Sequence, residues 1–262
     1  MHNRKCAFIC IILFGVGVMA EFIELQNVCF SAQEGMIIQD VSINFTPNKT
    51  TAIVGPSGGG KSTVLKLSAG LLVPSSGEVL YKGKNITQMN RNENLEFRKE
   101  GAFVFQDSAL WANQTLFQIL ELPLKIHYPK MNAKERASKI KKVTEEAGYR
   151  KDLNIRPSRL SMGEQKLIAF ARALLCDPSL LFLDEWTESL DESAADRLIN
   201  IVRRKQREGA SILFVSHDMR LIIDLADYVV IITDGRVQAS APKDSIISDL
   251  LLNDFVKIGI AS

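Results

Sequence analysis

Residues 55–62 read GPSGGGKS, which matches the phosphate-binding loop pattern G-x-x-x-x-G-K-S. The β-branched run TTAIV at 50–54 predicts a buried strand before the loop, and residues 63–69 predict a helix after it. Glycines let the backbone curl until several N–H groups point at phosphate oxygens, and the helix adds the positive end of its dipole. The pattern therefore predicts a nucleoside triphosphate site, in which Lys61 reaches the β- and γ-phosphates and the Ser62 hydroxyl binds Mg²⁺. The residues expected around the phosphates are Gly55, Pro56, Ser57, Gly58, Gly59, Gly60, Lys61, Ser62 and Thr63.

Composition narrows the class of protein further. The chain has 262 residues, of which 46% are hydrophobic and 24% charged, which is ordinary for a globular protein with a substantial core. A formal net charge of +2 gives no basic footprint, so nucleic acid is not expected as a partner. The four cysteines show no zinc-type spacing, and such sparse use fits a reducing compartment. The length allows one large domain or one domain with an inserted lobe.

The N-terminal segment differs from the rest of the chain. Residues 1–5 are basic and residues 6–19 almost wholly apolar, which is the pattern of a secretory signal peptide and too short for a comfortable membrane span. An exported protein would lack the nucleoside triphosphate that the phosphate loop requires. We therefore expect the functional polypeptide to begin at Met19, so that residues 1–18 are an extension before a domain covering 19–262. A genuine N-terminal anchor is the alternative.

Short apolar runs alternate with helical patterns along most of the chain. Strands are expected at 22–28, 37–45, 50–54, 77–81, 101–105, 180–183, 211–215 and 228–232, and helices at 63–69, 161–176 and 192–207. This alternation predicts an α/β fold, with a P-loop NTPase core, a mixed sheet and an antiparallel β part near the N-terminus. The pattern becomes helical from about 115 to 149, and residues 107–160 interrupt the alternation and predict an inserted helical lobe.

A second acidic motif complements the phosphate loop. Residues 180–185 read LLFLDE, an apolar strand that ends in two carboxylates. Such a strand delivers Asp184 to Mg²⁺, directly or through water, as a Walker B aspartate does. Glu185 follows one residue later, where it could polarise an attacking water.

Further motifs follow in a fixed order. Residues 160–165 read LSMGEQ and precede a helical run that contains ARAL. Gln106 follows the apolar run FVF, Asp191 ends the triplet SLD, and His217 follows the predicted strand SILFV and Ser216. With these motifs the sequence resembles the ABC ATPase family from residue 19 over nearly the whole chain.

The resemblance implies a role for each motif. Glu185 would act as general base, His217 would hold the γ-phosphate and sense its loss, and Gln106 would contact Mg²⁺ or the attacking water. The signature residues would cap the γ-phosphate of an ATP bound to a second copy. These signature residues are Ser161, Met162, Gly163 and Glu164, and the D-loop residue is Asp191. The expected Mg²⁺ ligands are Ser62, Gln106 and Asp184.

The chain departs from the family pattern at four places. Met162 replaces the first signature glycine, Leu167 stands where relatives often have Arg, and Trp186 stands where they often have Pro. The aromatic residue that stacks on adenine in the family should fall near Ala32, whereas Phe30 is expected on the core face of its strand. Base stacking is therefore expected to be weak or supplied by another residue.

The family implies an ATP-binding and hydrolysing subunit that uses Mg²⁺ and pairs head to tail with a second copy of itself. As a transporter subunit it would work with transmembrane permease subunits on separate chains, at the cytoplasmic face of the inner membrane. A soluble ABC-type ATPase, such as an iron–sulfur assembly factor, and an ATPase of an amino-acid importer are the alternatives.

One stretch bears on the transported substrate. Residues 105–111 read FQDSALW, and LPL follows at 122–124. Here, and in the tail at 235–240 and 253–256, the chain resembles ATPases of the Mla/Mce type, which move phospholipids with an Mce-type lipid-binding subunit. An apolar groove formed by Leu110, Trp111 and Phe117 would need a permease helix to cover it. Amino-acid and lipoprotein-release ATPases have the same groove, so the substrate stays open.

Overall fold

A computed structural model of the protein describes residues 22–33 and 35–249. The strands are β1 (Ile23–Ala32), β2 (Gly35–Phe45), β3 (Thr50–Val54), β4 (Ser76–Tyr81), β5 (Lys84–Asn85), β6 (Gly101–Val104), β7 (Leu180–Asp184), β8 (Ser211–Val215), β9 (Tyr228–Thr233) and β10 (Arg236–Pro242). The helices are α1 (Lys61–Ser68), α2 (Arg91–Glu100), α3 (Leu116–His127), α4 (Ala133–Ala147), α5 (Met162–Leu174), α6 (Glu192–Arg207), α7 (Met219–Leu225) and α8 (Lys243–Asp249). The extension expected at 1–18, the start expected at Met19 and the tail at 253–256 lie outside the described residues.

The larger sheet places the phosphate loop at its centre. Its strand order is β10-β9-β3-β8-β7-β6, and all neighbours are parallel except β9 and β10. All five residues of β3 are buried, which the continuous apolar run at 50–54 predicts. Because parallel strands end at the same edge, the residues after β3, β7 and β8 lie side by side, where ligands bind in such sheets.

The second sheet is antiparallel, with the order β2-β1-β4-β5. The α/β fold with a mixed sheet and an N-terminal antiparallel part is therefore confirmed. β1 and β2 are longer than the sequence patterns predict, and they pair from Ile23 opposite Phe45 to Ala32 opposite Gly35.

Apolar side chains on the two faces of the larger sheet form two cores. Along β7, Leu181 and Leu183 join one core while Leu180 and Phe182 join the other, since successive strand residues point to opposite faces. One core receives helices α3 to α8, and the other receives α1, α2 and the antiparallel sheet. The strand edge that carries the site is thus held rigidly from both sides.

The helical stretch expected from about 115 to 149 consists of two helices, α3 and α4, separated by residues 128–132. Each begins with a capping box, in which Thr115 pairs with Gln118 and Asn132 pairs with Glu135. The sequence patterns above do not predict α2, although it also begins with a capping box. Among the residues that the structure describes, no helix is both long and apolar enough to span a lipid bilayer.

Candidate active site

The phosphate loop leaves β3 through a backbone conformation that only glycine adopts easily. Gly55 has φ +145°, and a Cβ atom there would lie 1.9 Å from the carbonyl oxygen of Ile232 on β9. Gly60 has φ +101° and is the N-cap of α1, so the helix begins at Lys61. These two glycines fix where the loop starts and where the anion-binding helix terminus begins.

The turn between β9 and β10 supports the loop from behind. The Gly235 N–H donates to the Gly59 carbonyl at 3.0 Å, and the Gly235 carbonyl accepts from the Gln39 N–H at 2.8 Å. Gly235 has φ +70°, and a Cβ there would lie 2.1 Å from the Ile37 carbonyl oxygen. The turn therefore ties the loop to β2 across a contact with no room for a side chain.

We expect Gly235→Ala to destabilise the protein more than Gly83→Ala. Both glycines have positive φ, but a Cβ at Gly83 meets no atom within 4 Å. Gly83→Ala should cost about 1–2 kcal/mol of unfolding free energy for the left-handed backbone alone. Gly235→Ala should cost about 1–3 kcal/mol more, because the backbone must shift, and ATP affinity should fall with it. Urea unfolding of both variants measures the difference, and equal losses would contradict the supporting role of this turn.

Lys61, Ser62 and Asp184 converge at the loop. The Lys61 Nζ donates to the Gly55 and Pro56 carbonyls, at 2.9 Å each. Burial lowers the pKa of Lys61, while the Glu185 and Asp184 carboxylates oppose the shift. The Ser62 hydroxyl donates to Asp184 Oδ1 at 2.8 Å. Burial raises the pKa of Asp184, against the Ser62 hydrogen bond and nearby lysines. A hydroxyl and a carboxylate in contact are the hard oxygen ligands that Mg²⁺ prefers, so these residues fit the ion.

Glu185 and His217 form a pair at the next position along the edge. Glu185 Oε2 lies 3.2 Å from His217 Nδ1, and the glutamate is the more buried partner. Burial raises the pKa of Glu185, while the hydrogen bond from His217 opposes the rise. Glu185 has φ +41°, which costs a residue with a side chain roughly 1–2 kcal/mol. A carboxylate with a raised pKa, on a strained backbone beside residues that fit Mg²⁺, is a candidate general base.

Gln106 is near this cluster but not joined to its oxygen ligands. The Gln106 side-chain Nε2 donates to Glu188 Oε2 at 3.0 Å. Its backbone carbonyl accepts from the Lys166 ammonium. The structure brings together Lys61, Ser62, Asp184, Glu185 and His217, whereas Gln106 as a Mg²⁺ ligand stays a prediction.

The signature residues lie at the start of α5. The Ser161 hydroxyl accepts from the Glu164 N–H at 3.2 Å, and the Glu164 carboxylate accepts from the Ser161 N–H at 2.9 Å. Glu164 also pairs with Lys151 at 2.6 Å, so its side chain is engaged locally. Met162 is 71% exposed, and a Cβ at Gly163 would lie 3.1 Å from the Ser189 carbonyl oxygen. An exposed helix start packed on the D-loop is available to an anion from outside the chain.

The remaining residues expected at the site are Asp191, at the start of α6, and those near Ala32, where an adenine-stacking residue is expected. Asp191 Oδ1 accepts from the Ala194 N–H at 2.8 Å, so the residue is the N-cap of α6. Ala32 is exposed, and Phe30 is half-buried and packs against the core that includes β1 and β2. Phe30 therefore packs against the core, and the absence of base stacking from this strand stays a prediction.

Sequence reasoning missed Lys166 and Glu188. Lys166 is only 3% exposed, and its Nζ contacts the carbonyls of Gln106 and Glu185. The available signal was a lysine directly before the apolar run LIAFA, on a helix face that must be buried. Glu188 has no such signal, because an acidic residue in a loop is ordinarily solvated.

Comparisons with known proteins agree with this geometry. The family model described as "ABC transporter" matches residues 38–188. One relative is the intermembrane phospholipid transport system ATP-binding protein MlaF of Haemophilus influenzae, to which the chain is 32% identical. The alignment covers 90% of this chain and 90% of the relative. It is 30% identical to a methionine import ATP-binding protein, MetN, of Clostridium acetobutylicum, over 86% of this chain and 70% of that one.

A solved structure shows the same fold. The dimeric ATP-binding cassette MJ0796, in a post-hydrolysis state with ADP and Pi, superposes with a TM-score of 0.78 and 26% identity. The match covers 85% of this chain and 99% of that one.

Proposed function

We propose that this chain, which belongs to the ABC transporter family as an ATP-binding and ATP-hydrolysing subunit, powers phospholipid transport through separate permease subunits. The family membership rests on the family model that matches residues 38–188 and on the MlaF relative, which aligns over 90% of both chains. The substrate proposal rests on the MlaF relative and on the sequence around Trp111, and it competes with amino-acid import, which the MetN relative represents.

The loop residues bind the triphosphate in this proposal. The N–H groups of residues 55–62 surround the phosphates, and Lys61 exchanges its two loop carbonyls for phosphate oxygens. Ser62 and Asp184, already in contact, would hold Mg²⁺, with Gln106 as a third ligand. Bound there, Mg²⁺ neutralises charge on the phosphate oxygens.

Glu185 takes the proton from the attacking water, and His217 sits beside the γ-phosphate. The 3.2 Å contact between the two side chains orients the carboxylate before substrate arrives. A carboxylate with a raised pKa is a better proton acceptor near neutral pH than an ordinary one.

A second copy completes the site. The start of α5 presents Ser161 and Met162 to solvent, and its free N–H groups make an anion site that this chain's own loop does not use. In a head-to-tail dimer, residues 161–164 of one copy would cap the γ-phosphate on the loop of the other. Hydrolysis would then open the dimer, which makes it an ATP-driven switch.

An apolar groove is the proposed docking site for a permease. Its apolar lining consists of Ala102, Phe103, Trp111, Ile119, Leu122, Pro123, Ile126 and Ala173. Of the three residues expected to form the groove, Trp111 lines it, whereas Leu110 and Phe117 pack against the core instead. Trp111 and Ile126 are each 47% exposed. Arg172 donates to the Ser108 and Ala109 carbonyls and so holds the segment that carries Trp111. A rigid groove with exposed anchors suits an amphipathic permease helix at the cytoplasmic face of the inner membrane.

Trp111→Ala should weaken permease binding by at least tenfold while it leaves most of the basal ATPase activity, because buried interface tryptophans are common hot spots. Capture of the permease on the tagged chain in native membrane extracts measures the binding. Met36→Ala removes another exposed apolar side chain, on β2, and should leave capture unchanged.

The captured complex also tests the substrate. Phospholipid transport predicts that the permease co-purifies with phospholipid and an Mce-type lipid-binding subunit. A complex that contains an amino-acid-binding protein and no such subunit would overturn the phospholipid proposal but leave the ATPase assignment intact.

A further inference from the structure

Lys166 is a buried cation with which no carboxylate of the described residues pairs directly. It lies in the second turn of α5 with 3% of its surface exposed. Its hydrogen bonds go to two backbone carbonyls, those of Gln106 and, at 3.3 Å, Glu185. The carboxylates that face it through space are those of Glu188, Asp184, Asp107 and Glu185.

Burial of an ammonium group is unfavourable, and burial lowers the pKa of Lys166 while the four carboxylates oppose the shift. Another buried lysine, Lys205, is compensated differently, because it pairs directly with Asp177 and Glu208. The Lys166 ammonium instead donates to two backbone carbonyls at the edge of the sheet that carries the site. These two hydrogen bonds therefore explain why a lysine is buried at this position.

The two carbonyls belong to segments that must stay in register. Gln106 follows β6, and Glu185 directly follows β7, which is the parallel neighbour of β6. Glu185 has the left-handed φ of +41°, and such a conformation persists only where contacts over-determine it. Its N–H donates to the Val215 carbonyl at 3.1 Å, and its carbonyl accepts from the Glu188 N–H at 3.3 Å and from Lys166.

We propose that Lys166 is a positioning residue for ATP hydrolysis, which fixes the backbones of Glu185 and Gln106 relative to each other so that the Glu185 carboxylate meets the attacking water. The inference rests on the role of Glu185 in the proposed function. Glu188 assists by accepting from the Gln106 amide at 3.0 Å, which holds the other end of the same residue. Lys166 itself contacts no phosphate and transfers no proton; it acts through the two carbonyls.

Lys166→Met tests the inference, because methionine fills similar space without donors. The variant should lower kcat about 10- to 100-fold, since a shift of about 1 Å in a catalytic group has this order of effect. The ATP dissociation constant, measured with Mg²⁺ and a non-hydrolysable analogue, should stay within about twofold, because residues 55–62 are untouched. Lys166→Gln keeps two N–H donors without the charge and should recover several-fold of the kcat lost in Lys166→Met.

Lys205→Met is the matched control, since Lys205 is 7% exposed on α6 and contacts neither loop. It should lower Tm but leave kcat per ATP-binding chain unchanged.

A Lys166→Met variant that behaves in the same way would overturn the inference and leave the proposed function standing, as would a Lys166→Gln variant no faster than Lys166→Met. If Lys166→Met does not fold, Lys166→Gln tests the inference alone: a kcat several-fold below the wild-type value at unchanged ATP affinity supports it, and a wild-type kcat contradicts it. Wild-type chain that binds ATP but never hydrolyses it, even with its permease, would instead refute the proposed function.

Discussion

The Glu185→Gln variant is expected to bind ATP as the wild type does and to hydrolyse it roughly 10²–10⁴ times more slowly, which is the usual contribution of a general base. Glutamine keeps the shape of the side chain and an oxygen for the 3.2 Å contact with His217, but it cannot take a proton from water. Phosphate release and equilibrium ATP binding measure the two effects separately. Because hydrolysis would open the dimer in the proposed function, ATP-bound dimers of the variant should accumulate with Mg²⁺ and be visible by size-exclusion chromatography.

A matched control separates the base from a general effect of charge. Glu145→Gln makes the same change at an exposed position on α4, where the carboxylate lies 3.9 Å from Lys141. This control should hydrolyse ATP at the wild-type rate. Turnover of Glu185→Gln at that rate would show that another group activates the water.

The phosphate loop and its surroundings were predictable because local sequence determines them. The turn that leaves β3 needs glycine at Gly55, and the buried run at 50–54 is typical of a central strand. The convergence of Ser62 with Asp184 was predictable from order alone, because β3 and β7 both end at the same edge of one sheet.

The contacts around Gln106 were not predictable from the sequence. Its donation to Glu188 and the contact from Lys166 join residues 60 or more positions apart, which only tertiary packing brings together. Motif spacing placed Gln106 at the edge of the sheet but did not determine which acceptor its amide would find.

The contacts of Trp186 were not predictable from the sequence either. The sequence showed only that it stands where relatives often have Pro. In the structure the side chain is fully buried, and its ring stacks on Phe170 of α5 at 5.7 Å. Trp186 therefore packs the loop after β7 against α5, and the sequence pattern does not reveal this contact.

The helix boundaries that the sequence prediction missed are marked by capping signals, whereas the predicted helix at 192–207 coincides with α6. The helical pattern from about 115 to 149 did not separate α3 from α4, although Asn132 and Glu135 form a capping box that marks the second start. The missed α2 has the same signal in Asn90 and Glu93. Periodicity alone merges helices that caps divide.

Lys61→Ala should weaken ATP binding roughly 10- to 100-fold, because a hydrogen bond to a charged group contributes about 1.5–3 kcal/mol. The Lys61 Nζ already lies within the loop, 2.9 Å from two of its carbonyls, so the amine needs little movement to reach phosphate. The acidic residues Asp184 and Glu185 favour its charged form, and the substrate phosphates would add to that effect. Equilibrium titration with a fluorescent ATP analogue measures the affinity directly.

The expected loss for Lys61→Ala is one of binding, and this distinguishes it from Glu185→Gln, whose loss is one of chemistry. Hydrolysis by Lys61→Ala should recover in part as the ATP concentration rises, whereas that of Glu185→Gln should not. Lys49→Ala is the control at the opposite end of β3, where the lysine lies 3.4 Å from Asp227 and faces no phosphate. Equal ATP affinity in Lys61→Ala and Lys49→Ala would mean that the N–H groups of residues 55–62 bind the triphosphate without the lysine, and the role assigned to Lys61 would be wrong.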